Sequence, residues 1–215
     1  MLAAASGCSW GSGNAGSSNG GQGIAFSVKI GDSEMAGSSA RLLNEAYMPG
    51  NSLIELFKKS GVVNFSEDGY KILEVNKVSL GQDMGWEIQV NGKKVQDLST
   101  TVEPGAAITM SAGPADNGKM FQPVIITVNG GSEQPGLTHS HVLPFMQDMS
   151  VKGLLKNSGM VKLAEDNRTV LTVMEYSPLS SEEWRLKVND KGLLGNGVDM
   201  KLSPQDKLEI SLVLK

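Results

Sequence analysis

The stretch Trp86-Glu87-Ile88-Gln89-Val90-Asn91-Gly92 decides the fold, because a version of it is written twice in the chain. The second version begins 98 residues after the first and reads Trp184-Arg185-Leu186-Lys187-Val188-Asn189-Asp190. Residues upstream recur at the same spacing: Ser52, Leu56, Lys58, Ser60, Gly61 and Val63 return as Ser150, Leu154, Lys156, Ser158, Gly159 and Val161. This period exceeds that of helical and propeller arrays, so each copy can close its own core. The sequence therefore predicts two tandem copies of one small domain.

The repeat divides the 215 residues into four parts. We predict a leader and tether over residues 1–23, a first domain over 24–112, a linker over 113–119 and a second domain over 120–215. Hydrophobic residues make up 40% of the chain and charged residues 20%, which is ordinary for a globular protein. The net charge of -4 and the lack of a Lys/Arg-rich patch argue against nucleic-acid binding. No apolar run reaches the roughly 18 residues that a membrane span needs.

The single cysteine, Cys8, follows Ala5-Ser6-Gly7, a small-residue box similar to the cleavage site of bacterial lipoprotein precursors. In such precursors the cysteine carries lipid. Residues 9–23 are rich in Gly, Ser and Asn, a composition that forms a flexible tether. We therefore expect a protein anchored through lipidated Cys8 to the extracellular face of the cell membrane. The alternative is a stray cysteine in an N-terminal leader.

Each copy is predicted to contain one short helix and several strands. Ser52 and Glu55 form a capping box that starts a helix over Leu53–Lys59, and Gly61 ends it. The second copy has Gly153 in place of Glu55, so its helix lacks the box. Alternating or β-branched runs predict strands at these paired positions: 24–30 and 124–128, 70–75 and 169–173, 86–90 and 184–188, 107–110 and 207–212. The plan is α+β: two tandem β-grasp-like domains, each a mixed sheet of four to five strands with one short helix.

The run from Trp86 to Gly92, followed by a turn and a last strand, resembles the transcobalamin C-terminal-like domain family of bacterial surface proteins. The resemblance covers residues 26–112 and 124–214. It implies the β-grasp-like fold, a Gram-positive lipoprotein, and cobalamin or a related corrinoid as the ligand. The chain departs from the family pattern at several positions: Ile88 and Leu186 replace an aromatic residue, Gly105-Ala106 and Gln205-Asp206 replace Gly-Asp, and Asp190 replaces glycine. The large helical partner domain of the vertebrate cobalamin carriers is absent from this chain.

Two tryptophans are the first candidate ligand contacts. Trp86 and Trp184 each offer a flat apolar face and an N–H donor to a ligand. The alternative is core packing, which repetition in both copies favours. Together with Tyr70 and Tyr176, they are our candidate binding residues.

His139 and His141 are the only histidines, and residues two apart on a strand share one face. They could hold a metal ion, but no third ligand is evident, although Glu133 or Asp148 could approach in space. We therefore expect an exposed pair and no metal site. The acidic pairs Glu67-Asp68, Glu165-Asp166 and Glu182-Glu183 could in principle serve glycosidase chemistry. We expect them to be solvated loop charges instead.

The sequence thus predicts a non-enzymatic, lipid-anchored surface protein with no catalytic residue and no required cofactor. Its partners are the membrane, through Cys8, and a ligand at the cell envelope, with cobalamin suggested by the resemblance alone. A protein or glycan partner engaged by a sheet edge or by the interdomain cleft is the alternative. A metal-dependent hydrolase is the competing class, favoured only if His139 and His141 converge with carboxylates in a cleft.

Overall fold

The computed structural model describes residues 23–35, 38–115 and 120–215, and in these ranges the chain is α+β. Cys8 and the predicted tether lie outside the described residues. The first copy contains these elements: β1 (Ala25–Ile30), β2 (Ser33–Glu34), α1 (Ser39–Ala46), α2 (Leu53–Ser60), β3 (Val63–Phe65), β4 (Ile72–Val75), β5 (Val78–Leu80), β6 (Met84–Val90), β7 (Lys93–Val95) and β8 (Ala107–Pro114). None of the described helices is long and apolar enough to cross a membrane.

The second copy repeats most of this series. Its elements are β9 (Pro123–Asn129), β10 (His139–Pro144), α3 (Val151–Asn157), β11 (Val161–Leu163), β12 (Val170–Val173), β13 (Glu182–Val188), β14 (Lys191–Gly192) and β15 (Lys207–Leu214). Short 3-10 turns span Pro135–Leu137 and Gly195–Asp199. The predicted strands and helices are present, with ends that shift by a few residues. Gly113 and Pro114, predicted as linker, belong to β8.

The two copies share one strand order. The first copy forms a five-stranded sheet in the order β2-β1-β8-β6-β7. The second copy forms the matching order β10-β9-β15-β13-β14, within a larger sheet of eight strands. In both copies the opening strand pairs in parallel with the last one, β1 with β8 and β9 with β15. The two stretches related by the sequence repeat therefore arrange five strands in the same order.

The eight-stranded sheet joins the copies. Strands β5, β4 and β3 of the first copy extend the sheet of the second copy, because β5 pairs in parallel with β10. We call this pairing the seam. Its register aligns Val78 with Ser140 and Leu80 with Val142. In the second copy, β11 and β12 form a separate two-stranded sheet.

Helix α2 confirms the local chemistry expected at its two ends. The Glu55 carboxylate accepts hydrogen bonds from the Ser52 backbone N–H and hydroxyl, each at 2.9 Å. Gly61 has φ 65°, the left-handed conformation that ends a helix and favours glycine. In α3 the reciprocal box is missing, as predicted, but the Ser150 hydroxyl still accepts the Gly153 N–H at 3.1 Å.

Each copy has its own apolar core. One cluster surrounds Leu56 and Phe57 of α2, and a second surrounds Leu154 and Leu155 of α3. A third, smaller cluster lies at the seam and contains Ile30, Val78, Ala112, Ile125 and Val142. Because this third cluster takes residues from both copies, the seam is an apolar contact as well as a strand pairing.

Candidate functional site

An open groove of about 820 Å³ lies beside the tryptophan strand of the first copy. We call it the first groove. Its lining includes Tyr70, Ile72, Leu80 and Trp86, with Lys94 at one side. The Tyr70 ring is 89% exposed, so it forms an outer wall that no described residue covers. Two of the four predicted binding residues therefore meet at this groove.

A second groove, of about 1230 Å³, lies beside the equivalent strand of the second copy. Its lining includes Thr172, Leu179, Trp184 and Leu194. Leu179 and Leu194 are 62% and 89% exposed, so this groove has an apolar rim open to solvent. Tyr176 packs edge-on against Trp184, with ring centroids 6.2 Å apart, and supports the indole. The volume of the first groove lies within the usual range for small-molecule sites, and that of the second lies above it.

Both indoles have a buried N–H without a protein acceptor. Trp86 Nε1 and Trp184 Nε1 are buried, and neither has a hydrogen-bond partner among the described residues. The same holds for the Thr172 hydroxyl in the second groove. A buried polar group left unpaired costs about 1–3 kcal/mol, so such groups are uncommon in native proteins. Both tryptophans also pack against their own core, as the core-packing interpretation predicted, and ligand contact stays a prediction.

Each groove has an ion pair beside its tryptophan. In the first, Lys94 Nζ lies 2.7 Å from Glu87 Oε2, and this hydrogen bond, with one from Gln89, lowers the pKa of Glu87. In the second, Arg185 Nε lies 2.7 Å from Glu183 Oε1. Each groove therefore has an aromatic wall with one cation bonded to one glutamate beside it.

The two histidines lie on β10 at the seam. Ser79 Oγ of the first copy is 2.8 Å from His139 Nε2 and 2.5 Å from His141 Nδ1. His139 Nδ1 faces Glu74 Oε1 at 3.4 Å. A carboxylate at Nδ1 favours a proton there, so that Nε2 accepts the Ser79 hydroxyl and the His141 Nδ1–H donates to Ser79 Oγ. We call these four residues the seam cluster.

The seam cluster corrects our expectation of an exposed histidine pair. Both imidazoles are half-buried, because β5 of the first copy lies beside them. The carboxylate next to His139 is Glu74, whereas Asp148 pairs with Lys201 at 3.5 Å. Neither histidine lines the first or second groove. Among the described residues, no three His, Cys, Asp or Glu side chains are grouped to hold a metal ion.

Ser79 and Glu74 are the seam-cluster residues that sequence reasoning missed, and for Ser79 the sequence held a clue. A signal was available, because Ser177 stands in the second copy at the spacing that relates Trp86 to Trp184. The acidic pairs were predicted as solvated loop charges, and Asp68 and Asp166 are exposed turn residues that accept backbone N–H groups. Glu182 is different, since it is 5% exposed and accepts the Tyr176 hydroxyl and the Leu179 N–H. The expectation of a solvated Glu182 is therefore wrong.

Acid should weaken the seam. Burial lowers the pKa of His139, an effect that Glu74 opposes and Lys77 reinforces, and burial together with the His139 charge lowers the pKa of His141. The unfolded chain thus binds protons more readily than the folded one below the ordinary pKa of 6.5. We expect the free energy of unfolding to fall as the pH drops from about 7 to 5, in urea titrations at each pH.

The matched control is the double variant His139→Gln and His141→Gln, which keeps polar side chains at the seam but removes the titration. It should flatten the decline in this pH window. Carboxylates with a lowered pKa, such as Glu55 and Asp166, lose their contribution to folding stability at a lower pH than the histidines do. A decline between about pH 7 and 5 therefore reports mainly on the histidines. An equal decline in the variant and the wild type would contradict a role for the histidines.

No family model and no curated protein matches the chain. Among solved structures, it is similar to a protein from Ruminococcus gnavus ATCC 29149 described as a "putative metal binding protein", with 17% sequence identity and a TM-score of 0.35. The match covers 44% of this chain and 98% of that one. A likeness at this TM-score carries no weight for the fold or the ligand.

Proposed function

We propose that this chain is a non-enzymatic binding protein of the bacterial cell surface, built from two tandem β-grasp-like domains over residues 24–112 and 120–215. One observation carries the proposal. Each copy places an aromatic groove beside the same tryptophan, and each tryptophan holds a buried N–H that lacks a protein acceptor. A ligand with a flat apolar surface would suit the aromatic wall, and a carbonyl group on it would bond the indole N–H once the side chains that cover this N–H move aside.

A corrinoid fits this chemistry. Its methyl groups give it apolar surface, its amide side chains carry carbonyl acceptors, and the resemblance to transcobalamin C-terminal-like domains suggests it independently of the grooves. Tyr70, Trp86, Tyr176 and Trp184 are the proposed binding residues, with Tyr176 acting by supporting Trp184. A protein or glycan of the envelope is the alternative ligand.

The proposed location is the extracellular face of the cell membrane. Lipidated Cys8 would anchor the chain, and the Gly/Ser-rich residues 9–23 would separate the domains from the membrane. Mass spectrometry of the membrane-bound protein tests this, because a diacylglycerol group on Cys8 is the expected product.

A metal-dependent hydrolase is the weaker proposal. His139 Nε2 and His141 Nδ1 are both engaged with Ser79 Oγ, and neither histidine lines a groove. Elemental analysis of the purified protein decides this point, since a hydrolase of this class would carry a stoichiometric transition metal.

The grooves are tested by titration with cobalamin, followed by its visible absorbance. We expect saturable binding at micromolar concentration. Trp86→Phe and Trp184→Phe keep an aromatic wall and lose the N–H donor, so each should weaken its own site by about tenfold. The control is Trp10→Phe, which alters the third tryptophan of the chain in the predicted tether and should change nothing.

The outcomes separate the ligand classes. No binding of cobalamin to the wild type at micromolar concentration removes the corrinoid. The same tryptophan variants can then be assayed against envelope glycans and proteins. Ligand binding that survives the double variant Trp86→Phe and Trp184→Phe unchanged would contradict the grooves as the binding sites.

A further inference from the structure

Residues 175–179 of the second copy follow β12 as an irregular segment held by the Val173–Tyr176 bridge, whereas their counterpart in the first copy is β5, a strand already paired with β10. In the first copy, β10 covers the edge of β5 through backbone bonds at both ends. The Ser140 N–H donates to the Lys77 carbonyl at 2.9 Å, and the Gly81 N–H donates to the Val142 carbonyl at 2.8 Å. Ser79 lies between these bonds and faces the two histidines. In the first copy, therefore, the edge of β5 accepts β10 as an added strand.

The second copy builds the same local backbone. At the repeat spacing, Lys77, Ser79 and Gly81 become Glu175, Ser177 and Leu179. Val173 and Tyr176 form an antiparallel bridge, as Val75 and Val78 do in the first copy. The residues in the turn also agree: Asn76 and Lys77 have φ 51° and 60°, and Met174 and Glu175 have φ 49° and 67°. We call residues 175–179 the edge segment.

No described strand covers the edge segment. Ser177 is exposed, whereas Ser79 is half-buried under β10. The Glu175 carbonyl, the Ser177 N–H and the Ser177 carbonyl have no backbone partner among the described residues. Thr172, which stands in the place of Glu74, has a buried hydroxyl without a partner. In the first copy the equivalent groups bond β10 or its histidines.

Two features limit how far a strand could pair here. The Leu179 N–H, equivalent to that of Gly81, already donates to the Glu182 carboxylate at 2.8 Å. Pro178 lacks an N–H. Its equivalent in the first copy is Leu80, whose backbone does not face β10; the backbone groups that do face β10 belong to the neighbours Ser79 and Gly81. In a parallel pairing, alternate residues turn their backbone groups to one neighbour, so Pro178 removes no bond from this edge. Three of the four backbone groups that bind β10 in the first copy thus remain available in the second.

We propose that the edge segment accepts an extended polypeptide strand of a partner protein, parallel to residues 175–177, by strand addition. The partner segment would resemble β10: polar side chains at two alternate positions, to bond the Ser177 and Thr172 hydroxyls, and an apolar side chain after them to lie on Pro178. This goes beyond groove binding, because it names a polypeptide partner recognised through the protein backbone.

The probe is a synthetic peptide with the sequence of residues 137–145, titrated into the full chain. We expect saturable binding, with slower hydrogen exchange at the Ser177 amide. A control peptide with N-methyl groups at the positions of Ser140 and Val142 lacks the donors that face the edge. It should bind at least about tenfold more weakly.

Two protein variants separate this proposal from the grooves. Thr172→Val preserves shape and removes an unpaired hydroxyl, so folding stability should hold while peptide affinity falls by about three- to tenfold. Residues 177–179 also line the second groove, so the variant that separates the two proposals is Trp86→Phe in the first groove, which should weaken cobalamin there and leave the peptide unaffected. Equal binding of the N-methylated peptide, protection at Ser79 in place of Ser177, or no binding at millimolar peptide would each overturn the proposal.

Discussion

Replacing Val142 with aspartate should open the seam. The side chain is fully buried, and it packs with Val78 of the first copy and Ile125 of the second in the apolar cluster at the seam. A carboxylate there has no partner charge, and burying it costs several kcal/mol, so the strands should separate to hydrate it. We expect a loss of more than about 3 kcal/mol in the free energy of unfolding, measured with urea.

Hydrogen exchange locates the damage. The Ser140 and Gly81 amides donate across the seam, so they should lose protection first, while the α2 amides remain protected. Met146→Asp is the matched control, because it adds the same charge near β10 at a half-exposed position. If Val142→Asp left the Ser140 and Gly81 amides as protected as in the wild type, the seam would not depend on this cluster.

Truncating one large core side chain in each copy should affect the two copies unequally. Phe57→Ala should remove about 3–5 kcal/mol from the first copy, and Leu154→Ala about 2–5 kcal/mol from the second, because both side chains are fully buried. Val63 of β3 and Val75 of β4 pack in the Phe57 core, yet their strands belong to the sheet of the second copy. Loss of Phe57 should therefore loosen the seam as well.

Leu154→Ala should not loosen the five-stranded sheet of the first copy, because the Leu154 core takes no residue from that sheet. Residue-resolved hydrogen exchange checks both expectations. Phe57→Ala should speed exchange at the Ser140 amide, and Leu154→Ala should leave the amides of β1 and β8 unchanged. Identical exchange profiles for the two variants would mean that the copies unfold as one unit.

The features that the sequence predicted well are those set by near neighbours. The capping box at Ser52, the left-handed Gly61 and the alternating strands all depend on residues a few positions apart. The seam could not be predicted in this way, since β5 has three residues and finds its partner 62 positions away, at His141. Parallel pairing between distant strands leaves no local pattern in the sequence.

The two copies also diverge where equal spacing suggested equivalence. Arg41 and Leu43 match His139 and His141 by position, but the first pair lies in helix α1 and the second on strand β10. Helix α1 was not predicted, and the side chain of its N-cap residue, Ser38, makes no capping hydrogen bond. The candidate grooves were half predictable: the repeated tryptophans marked their place, but the unpaired N–H groups follow only from packing.

Because α1 stands where the second copy has β10, the two copies cannot exchange places in the seam. After Glu34 the first copy turns into α1, so it lacks the long strand through which the second copy receives its neighbour. The seam therefore depends on a strand that only the second copy carries, since β10 has six residues and its counterpart in the sheet order, β2, has two. Exchanging the order of the two copies would place β2 where β10 now pairs, and the strand pairing that joins the copies would be lost.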